Sequence, residues 1–196
     1  MKAELENEAQ LIVLNFFDGI TNAEYQNLVN ESGFQLSKDV KDFYMQTNGL
    51  QFLYVKKSNT NFNLSGAPDN AKYFDWMWTW DDYWQLDGII NILPLQVSLR
   101  GNWNNIIYFN YQKEMFINSN GFNETIFDYR KRIRPFDFFS KDSVVSFYQS
   151  SKGKIEIVIG VENNTEFIHV KNQKFSSYLK YLLQTKGSPS KRKLYI

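Results

Sequence analysis

Apolar positions along this chain fall into two spacings, one helical and one strand-like, and together they predict helices flanking a mixed middle region. Leu5 to about Phe17 reads as a first helix. Thr21-Asn22-Ala23-Glu24 has the spacing of a capping box, in which the threonine hydroxyl and the glutamate each satisfy a free backbone N–H. It opens a second helix with Tyr25, Leu28 and Val29 on one face and Gly33 just beyond. Ser37 is a good N-cap for a third helix over Lys38 to Gln46. There Val40, Phe43, Tyr44 and Thr47 share one face at i, i+3, i+4 and i+7, and Asn48-Gly49 suits the left-handed residue that ends a helix. Strands are expected at Gln51–Val55, Ile89–Pro94, Trp103–Tyr111, Met115–Ile117 and Thr125–Tyr129. Ser140 is expected to cap a helix running to about Gln149, with Val144, Val145 and Tyr148 inward and Gly153 after its end. Ile155–Gly160 and Thr165–Val170 read as a hairpin about Glu162-Asn163-Asn164. A last helix, including Phe175 to Leu183, ends near Gly187.

This order predicts an α+β fold, a mainly antiparallel sheet with helices packed on it. The strands are not regularly interleaved with helices, as a doubly wound parallel sheet would require. One domain is expected over residues 1–187, carrying the N-terminal helices, followed by a basic flexible tail at 188–196. A chain of 196 residues with 17% aromatics has ample material for one core.

Charge and cysteine narrow the function. A formal net charge of +1 provides no field to steer nucleic acid to the whole surface. With no cysteine there is no disulfide framework and no thiol chemistry, which fits a reducing compartment. The first residues, Met1 to Glu8, are acidic, and the nearby apolar run Leu11-Ile12-Val13-Leu14 is short, so no signal peptide or membrane span is expected. Cytoplasmic residence follows as the expectation.

Candidate chemistry is sparse. The one histidine, His169, lies in a predicted strand, and a Ser/His/Asp site would have to use it. Zinc sites need several His or Cys ligands, so no metal is expected. Neither a Gly-x-x-x-x-Gly-Lys-Ser/Thr loop nor a Gly-x-Gly-x-x-Gly turn is present, and no cofactor is expected. Asp75 with Asp81-Asp82 would supply carboxylates for glycoside hydrolysis, although such loop acids read first as solvated charges. The chain is therefore not expected to be an enzyme.

The unusual local feature is the segment from Tyr73 to Trp84, which holds four of the five tryptophans. On a strand, Phe74, Trp76, Trp78 and Trp80 share a face; on a helix, Trp76, Trp80, Tyr83 and Trp84 share a stripe; both periods fit. One reading is packing. The other is a partner-binding surface built from Asp75, Trp76, Trp78, Trp80, Asp81, Asp82, Tyr83 and Trp84. Large aromatics there would anchor a contact, and the acids would form a negative rim for a basic partner. A second charged feature, Arg130-Lys131-Arg132-Ile133-Arg134-Pro135, reads as a solvated loop after a strand, or as a contact for phosphate or an acidic partner.

Leu36, Val40, Phe43, Tyr44 and Asn48-Gly49-Leu50, followed by Ile92-Leu93-Pro94-Leu95 with Trp103 and Ile106–Phe109, carry a resemblance to a known family. So does the C-terminal helix Phe175–Leu183. This pattern, from about Phe34 to Gln184, resembles the SUKH superfamily, the Smi/Knr-type domains of fungal cell-wall regulators and of bacterial immunity proteins. The resemblance implies a non-catalytic, cytoplasmic protein-binding domain. In the bacterial branch it implies an immunity protein that neutralises a cognate polymorphic or contact-dependent protein toxin; from charge and hydropathy no nucleic-acid or membrane partner is expected. The alternative is a regulatory scaffold, or a carbohydrate-binding module that uses the Trp-rich segment as a stacking platform.

Overall fold

A computed structural model describes residues 8–59, 86–103, 116–119, 122–140, 143–161, 166–170 and 174–192. The chain opens on strand β1 (Ala9–Asp18) and continues through helices α1 (Asn22–Ser32) and α2 (Lys38–Gln46) into β2 (Thr47–Lys56) and β3 (Gly88–Ile92). A short helix α3 (Leu95–Arg100) follows, then the hairpin β4 (Phe116–Ser119) and β5 (Phe122–Thr125) and helix α4 (Ile126–Arg132). Strands β6 (Ile133–Ser140), β7 (Ser143–Gln149), β8 (Ile155–Val161) and β9 (Glu166–Val170) lead to helices α5 (Phe175–Gln184) and α6 (Pro189–Arg192). Among the described residues the main sheet has seven strands in the order β1-β2-β3-β6-β7-β8-β9. Each pairing in it is antiparallel. The α+β architecture read from the sequence is the one observed.

Both faces of this sheet are covered. Along β7, Val145 and Phe147 enter one core while Val144 and Tyr148 enter another, as the two-residue period of a strand requires. The larger core collects Tyr25, Leu28 and Val29 of α1, Val40 and Tyr44 of α2, and Phe175, Tyr178 and Leu182 of α5. The smaller core on the opposite face gathers Trp103, Tyr129, Phe138, Val158 and Phe167.

Helix α1 forms as the sequence indicates. The Thr21 hydroxyl accepts from Glu24 N at 3.2 Å and Thr21 N donates to Glu24 Oε2 at 2.8 Å. Gly33 closes the helix in the left-handed region at φ 71°. Helix α2 has the expected span but different ends. The Ser37 hydroxyl makes no cap to the backbone and donates to Asp39 Oδ1 at 2.6 Å. At the other end Thr47 is already extended, so Asn48-Gly49 belongs to β2 rather than to a helix cap.

Five further expectations are corrected. Leu5 to Phe17 is not a helix: its described part is β1, because Ile12, Val13, Phe16 and Phe17 are β-branched or aromatic and suit a pleated surface. The expected helix from Ser140 to Gln149 is β7, whose residues 143–148 are buried. A run buried on both faces shows no strand alternation and is easily mistaken for helix. Thr125–Tyr129 is not a strand: Thr125 N-caps α4, accepting from Asp128 N at 3.2 Å. The basic run Arg130–Pro135 is not a loop but the end of α4 and the start of β6. In the tail, Pro189–Arg192 is helical and Arg192 is fully buried. The strand expected at Trp103–Tyr111 falls, beyond Trp103, outside the described residues.

Candidate functional site

The two segments that carry the family resemblance interlock at one corner. Asn48 Oδ1 accepts from Leu95 N at 2.9 Å, satisfying a free amide in the first turn of α3. Asn48 Nδ2 donates to Gln96 Oε1 at 2.9 Å. The Tyr44 hydroxyl donates to Leu93 O at 3.0 Å, and burial pushes that phenol far above its ordinary range. Gly49 sits at φ 112°, and a Cβ there would lie 2.7 Å from Ile92 O. The asparagine, the glycine and the tyrosine are thus each tied to the Ile92–Leu95 segment for a structural reason.

From this corner a line of polar side chains crosses the sheet. Asn15 Nδ2 donates to Gln51 Oε1 at 3.0 Å and Gln51 Nε2 donates to Asn91 Oδ1 at 3.2 Å. The three residues are direct cross-strand partners. Asn91 N then donates to Asp137 Oδ1 at 3.1 Å, and the Tyr178 hydroxyl donates to Asp137 Oδ2 at 2.6 Å. Arg192 closes the line from the C-terminal side with Nη1 2.9 Å from Asp137 Oδ2. The line starts at the exposed Asn15 and is buried from Gln51 onward, which suits holding strands in register rather than meeting a substrate.

Among the described residues a surface cleft of about 590 Å³ lies where the first turns of α2 and α5 meet the start of β8. Its floor is apolar, with Val40, Phe147, Ile157, Val170 and Phe175. Its rim is charged, and most of those charges are matched within the protein. Lys38 pairs with Asp42 at 2.5 Å and Lys154 with Glu156 at 3.5 Å. Asp39 Oδ2 accepts from Ser176 N at 2.9 Å, tying α2 to the first turn of α5. Partial burial raises the Asp39 pKa, but the hydrogen bonds from Ser37 and Ser176 outweigh it and hold the carboxyl below its ordinary value. Sequence reasoning placed none of these rim residues in a site. The signal was present in Gly153-Lys154-Ile155-Glu156-Ile157, where charge and apolar residue alternate directly after a turn glycine.

His169 is buried on the opposite face of the sheet. Its Nε2 lies 3.2 Å from the Tyr129 hydroxyl and its Nδ1 lies 3.3 Å from Glu156 Oε2. The ring packs edge-on against Tyr148 with centroids 4.7 Å apart. It is a strand histidine with polar contacts, as the sequence suggested. Among the described residues no group of three His, Cys, Asp or Glu side chains is placed to hold a metal ion. No described helix is long and apolar enough to cross a membrane.

The aromatic and acidic surface expected at Asp75, Trp76, Trp78, Trp80, Asp81, Asp82, Tyr83 and Trp84 lies wholly outside the described residues. The basic run is described and folded. Arg130 and Lys131 lie over the exposed ring of Phe127, with distances to its centroid of 5.3 Å and 3.8 Å. Arg134 turns back onto the end of α4, with Nη1 donating to Ile133 O at 2.8 Å.

No protein-family model matches the chain, and no curated protein matches it.

Proposed function

We propose that this chain is a non-catalytic, protein-binding protein of the immunity type, built on a SUKH-like scaffold, which neutralises a cognate toxin by occlusion. The observation that carries this reading is the cleft between α2, α5 and β8. It has an apolar floor inside a charged rim, and an apolar centre with a polar rim is the anatomy of a protein interface. Its rim carboxylates are occupied by Lys38, Lys154 and Ser176 N rather than aimed at a reacting atom. The SUKH-like part of the reading is supported by the corner at Asn48, Gly49 and Leu95, which gives the resembling residues one shared structural task. Binding lays an apolar side chain of the partner against the half-buried Ile155 at the edge of the cleft, with no turnover, in the cytoplasm. No cofactor, nucleic acid or membrane takes part.

The test is co-expression with the product of the adjacent gene, scoring survival and co-elution. The expected result is rescue from a toxic neighbour together with a stable complex. A harmless neighbour that does not co-elute would sink the immunity reading, and a saturable tryptophan-fluorescence response to one glycan would replace it with a carbohydrate-binding one.

A further inference from the structure

We propose that the pocket formed by α4, the start of β6 and the Gly101–Trp103 segment is a second interaction site, which takes a carboxylate side chain from an acidic segment of a partner protein. The pocket is about 320 Å³, and its lining includes Trp103, Phe127, Arg130, Lys131 and Arg134. Trp103 of its lining belongs to the smaller core, whereas Arg134 packs over Phe34 of the larger one, so the pocket straddles the two faces; it shares no lining residue with the cleft floored by Phe175 and Phe147.

Three observations converge there. The first is charge. Three cationic side chains face one pocket in a protein whose net charge is only +1. Lys131 is matched by Asp128 at 3.1 Å. Arg130, over the Phe127 ring, has no carboxylate partner among the described residues. The second is the platform. Phe127 is 43% exposed, an unusual place for a phenylalanine, and it sits beneath two cations. The ring holds the Arg130 guanidinium by its face and leaves the N–H fork free to meet a carboxylate with two parallel hydrogen bonds. The third is rigidity. Arg134 Nη1 donates to the carbonyls of Ile133, Lys131 and Arg130, at 2.8, 3.3 and 3.4 Å, and its guanidinium lies 4.5 Å over Phe34. The end of α4 that presents Arg130 is thereby fixed before any ligand arrives, which lowers the ordering cost of binding.

The shape favours a protein over a nucleic acid. Single-stranded nucleic acid is held along a basic groove several nucleotides long with successive stacking rings. Here one concave pocket of side-chain size offers one unmatched guanidinium and one exposed ring.

The experiment uses the full chain and a fluorescein-labelled peptide rich in Asp and Glu, with fluorescence anisotropy at low and physiological salt. Labelled single-stranded RNA and a Lys-rich peptide are run alongside. Saturable binding of the acidic peptide is expected, weakened about tenfold or more in Arg130→Glu, because truncating a desolvated charge contact removes a hot spot. Arg130→Gln should show the same direction with a smaller loss. Lys180→Glu, an exposed change of the same charge on α5, should leave the affinity within about twofold, since an isolated surface charge contributes little. No saturable binding would overturn the proposal, as would equal loss in Arg130→Glu and Lys180→Glu, which would mark it as an effect of net charge. RNA binding tighter than peptide binding, and lost in Arg130→Glu, would overturn it in favour of a nucleic-acid site. These outcomes do not depend on the adjacent gene's product, so failure here and failure of the immunity reading are separable.

Discussion

Asp137 of β6 and Arg192 of α6 form an ion pair at 2.9 Å with neither side chain exposed to solvent. Nη1 approaches Asp137 Oδ2 off the axis of a hydrogen bond, so charge attraction rather than a directed bond holds the contact. Arg192 Nη2 also donates to Ile89 O on β3. The end of the chain therefore clamps β3 to β6, two strands whose mutual register is recorded at a single pair, Ile92 and Asp137. Arg192→Met removes one partner and strands a buried carboxylate, a loss of about 3–5 kcal/mol. Adding Asp137→Asn to that variant removes the stranded charge, keeps one oxygen to accept from Asn91 N and leaves the Tyr178 hydroxyl to turn and accept from the new amide, so the double variant is expected to be more stable than Arg192→Met alone. Urea denaturation of the two variants checks this. A cost for Arg192→Met below about 1 kcal/mol, the range of an exposed pair, would show that the clamp is not needed.

That clamp is invisible in the sequence, where Ser188 to Lys193 reads as a polar basic tail. Nothing local marks Arg192 as buried, and its partner Asp137 lies on β6, a strand that the sequence pattern does not announce. The elements that are legible are those whose signals are local. Thr21 and Glu24 make the capping box their spacing predicts, and Ile155–Val161 and Glu166–Val170 pair as the expected hairpin. The misread elements are those whose neighbours decide the outcome. Val144, Val145 and Tyr148 satisfy a helical period only because β7 is buried on both faces, and β1 is a strand only because β2 is there to pair with it. The cleft is illegible for the same reason: Asp39 and Ser176 are far apart in sequence and meet only when α5 packs on α2.

Asn48 and Gly49 give a sharper test of the corner. Asn48→Ala leaves Leu95 N without its partner in a buried setting, a cost of about 1–3 kcal/mol, whereas the exposed Gln96 amide turns to water. Asn48→Asp keeps the acceptor for Leu95 N and is expected to lose less. Gly49→Ala combines a backbone at φ 112° with a Cβ 2.7 Å from Ile92 O, and is expected to cost about 2 kcal/mol or more. Thermal melts of the three variants should rank Asn48→Asp above both alanine variants. A Gly49→Ala protein as stable as the parent would remove the close approach from the account.

Asp39 makes the α2–α5 junction sensitive to acid. Its carboxyl is held below the ordinary value by Ser37 and Ser176 despite partial burial. A depressed acid contributes stability that is fully present above the unfolded value of about 3.9 and is lost as pH falls through the lower folded value. Stability is therefore expected to be flat with respect to this group near neutrality and to fall below about pH 4. Asp39→Asn should be less stable than the parent at pH 7, with the gap narrowing at pH 3. Guanidinium titrations at the two pH values measure it, and a gap that stays constant would show that the Asp39 charge carries none of the junction's stability.

The cleft can be blocked at a half-buried residue that borders the larger core without belonging to its buried centre. Ile155 is half-buried at its edge, next to Lys154 and paired across the sheet with Gln149. Ile155→Arg places a long cation over the apolar floor while leaving Phe175 and Ile157 in place. Its stability is expected to change by no more than about 1 kcal/mol, as for most substitutions near a surface. Co-elution with the adjacent gene's product and protection from it are both expected to be lost. Leu183→Arg on α5 is the matched control, because Leu183 is 53% exposed and does not line the cleft. Retained protection in Ile155→Arg, with loss in Leu183→Arg, would move the docking surface from the cleft to the exposed face of α5.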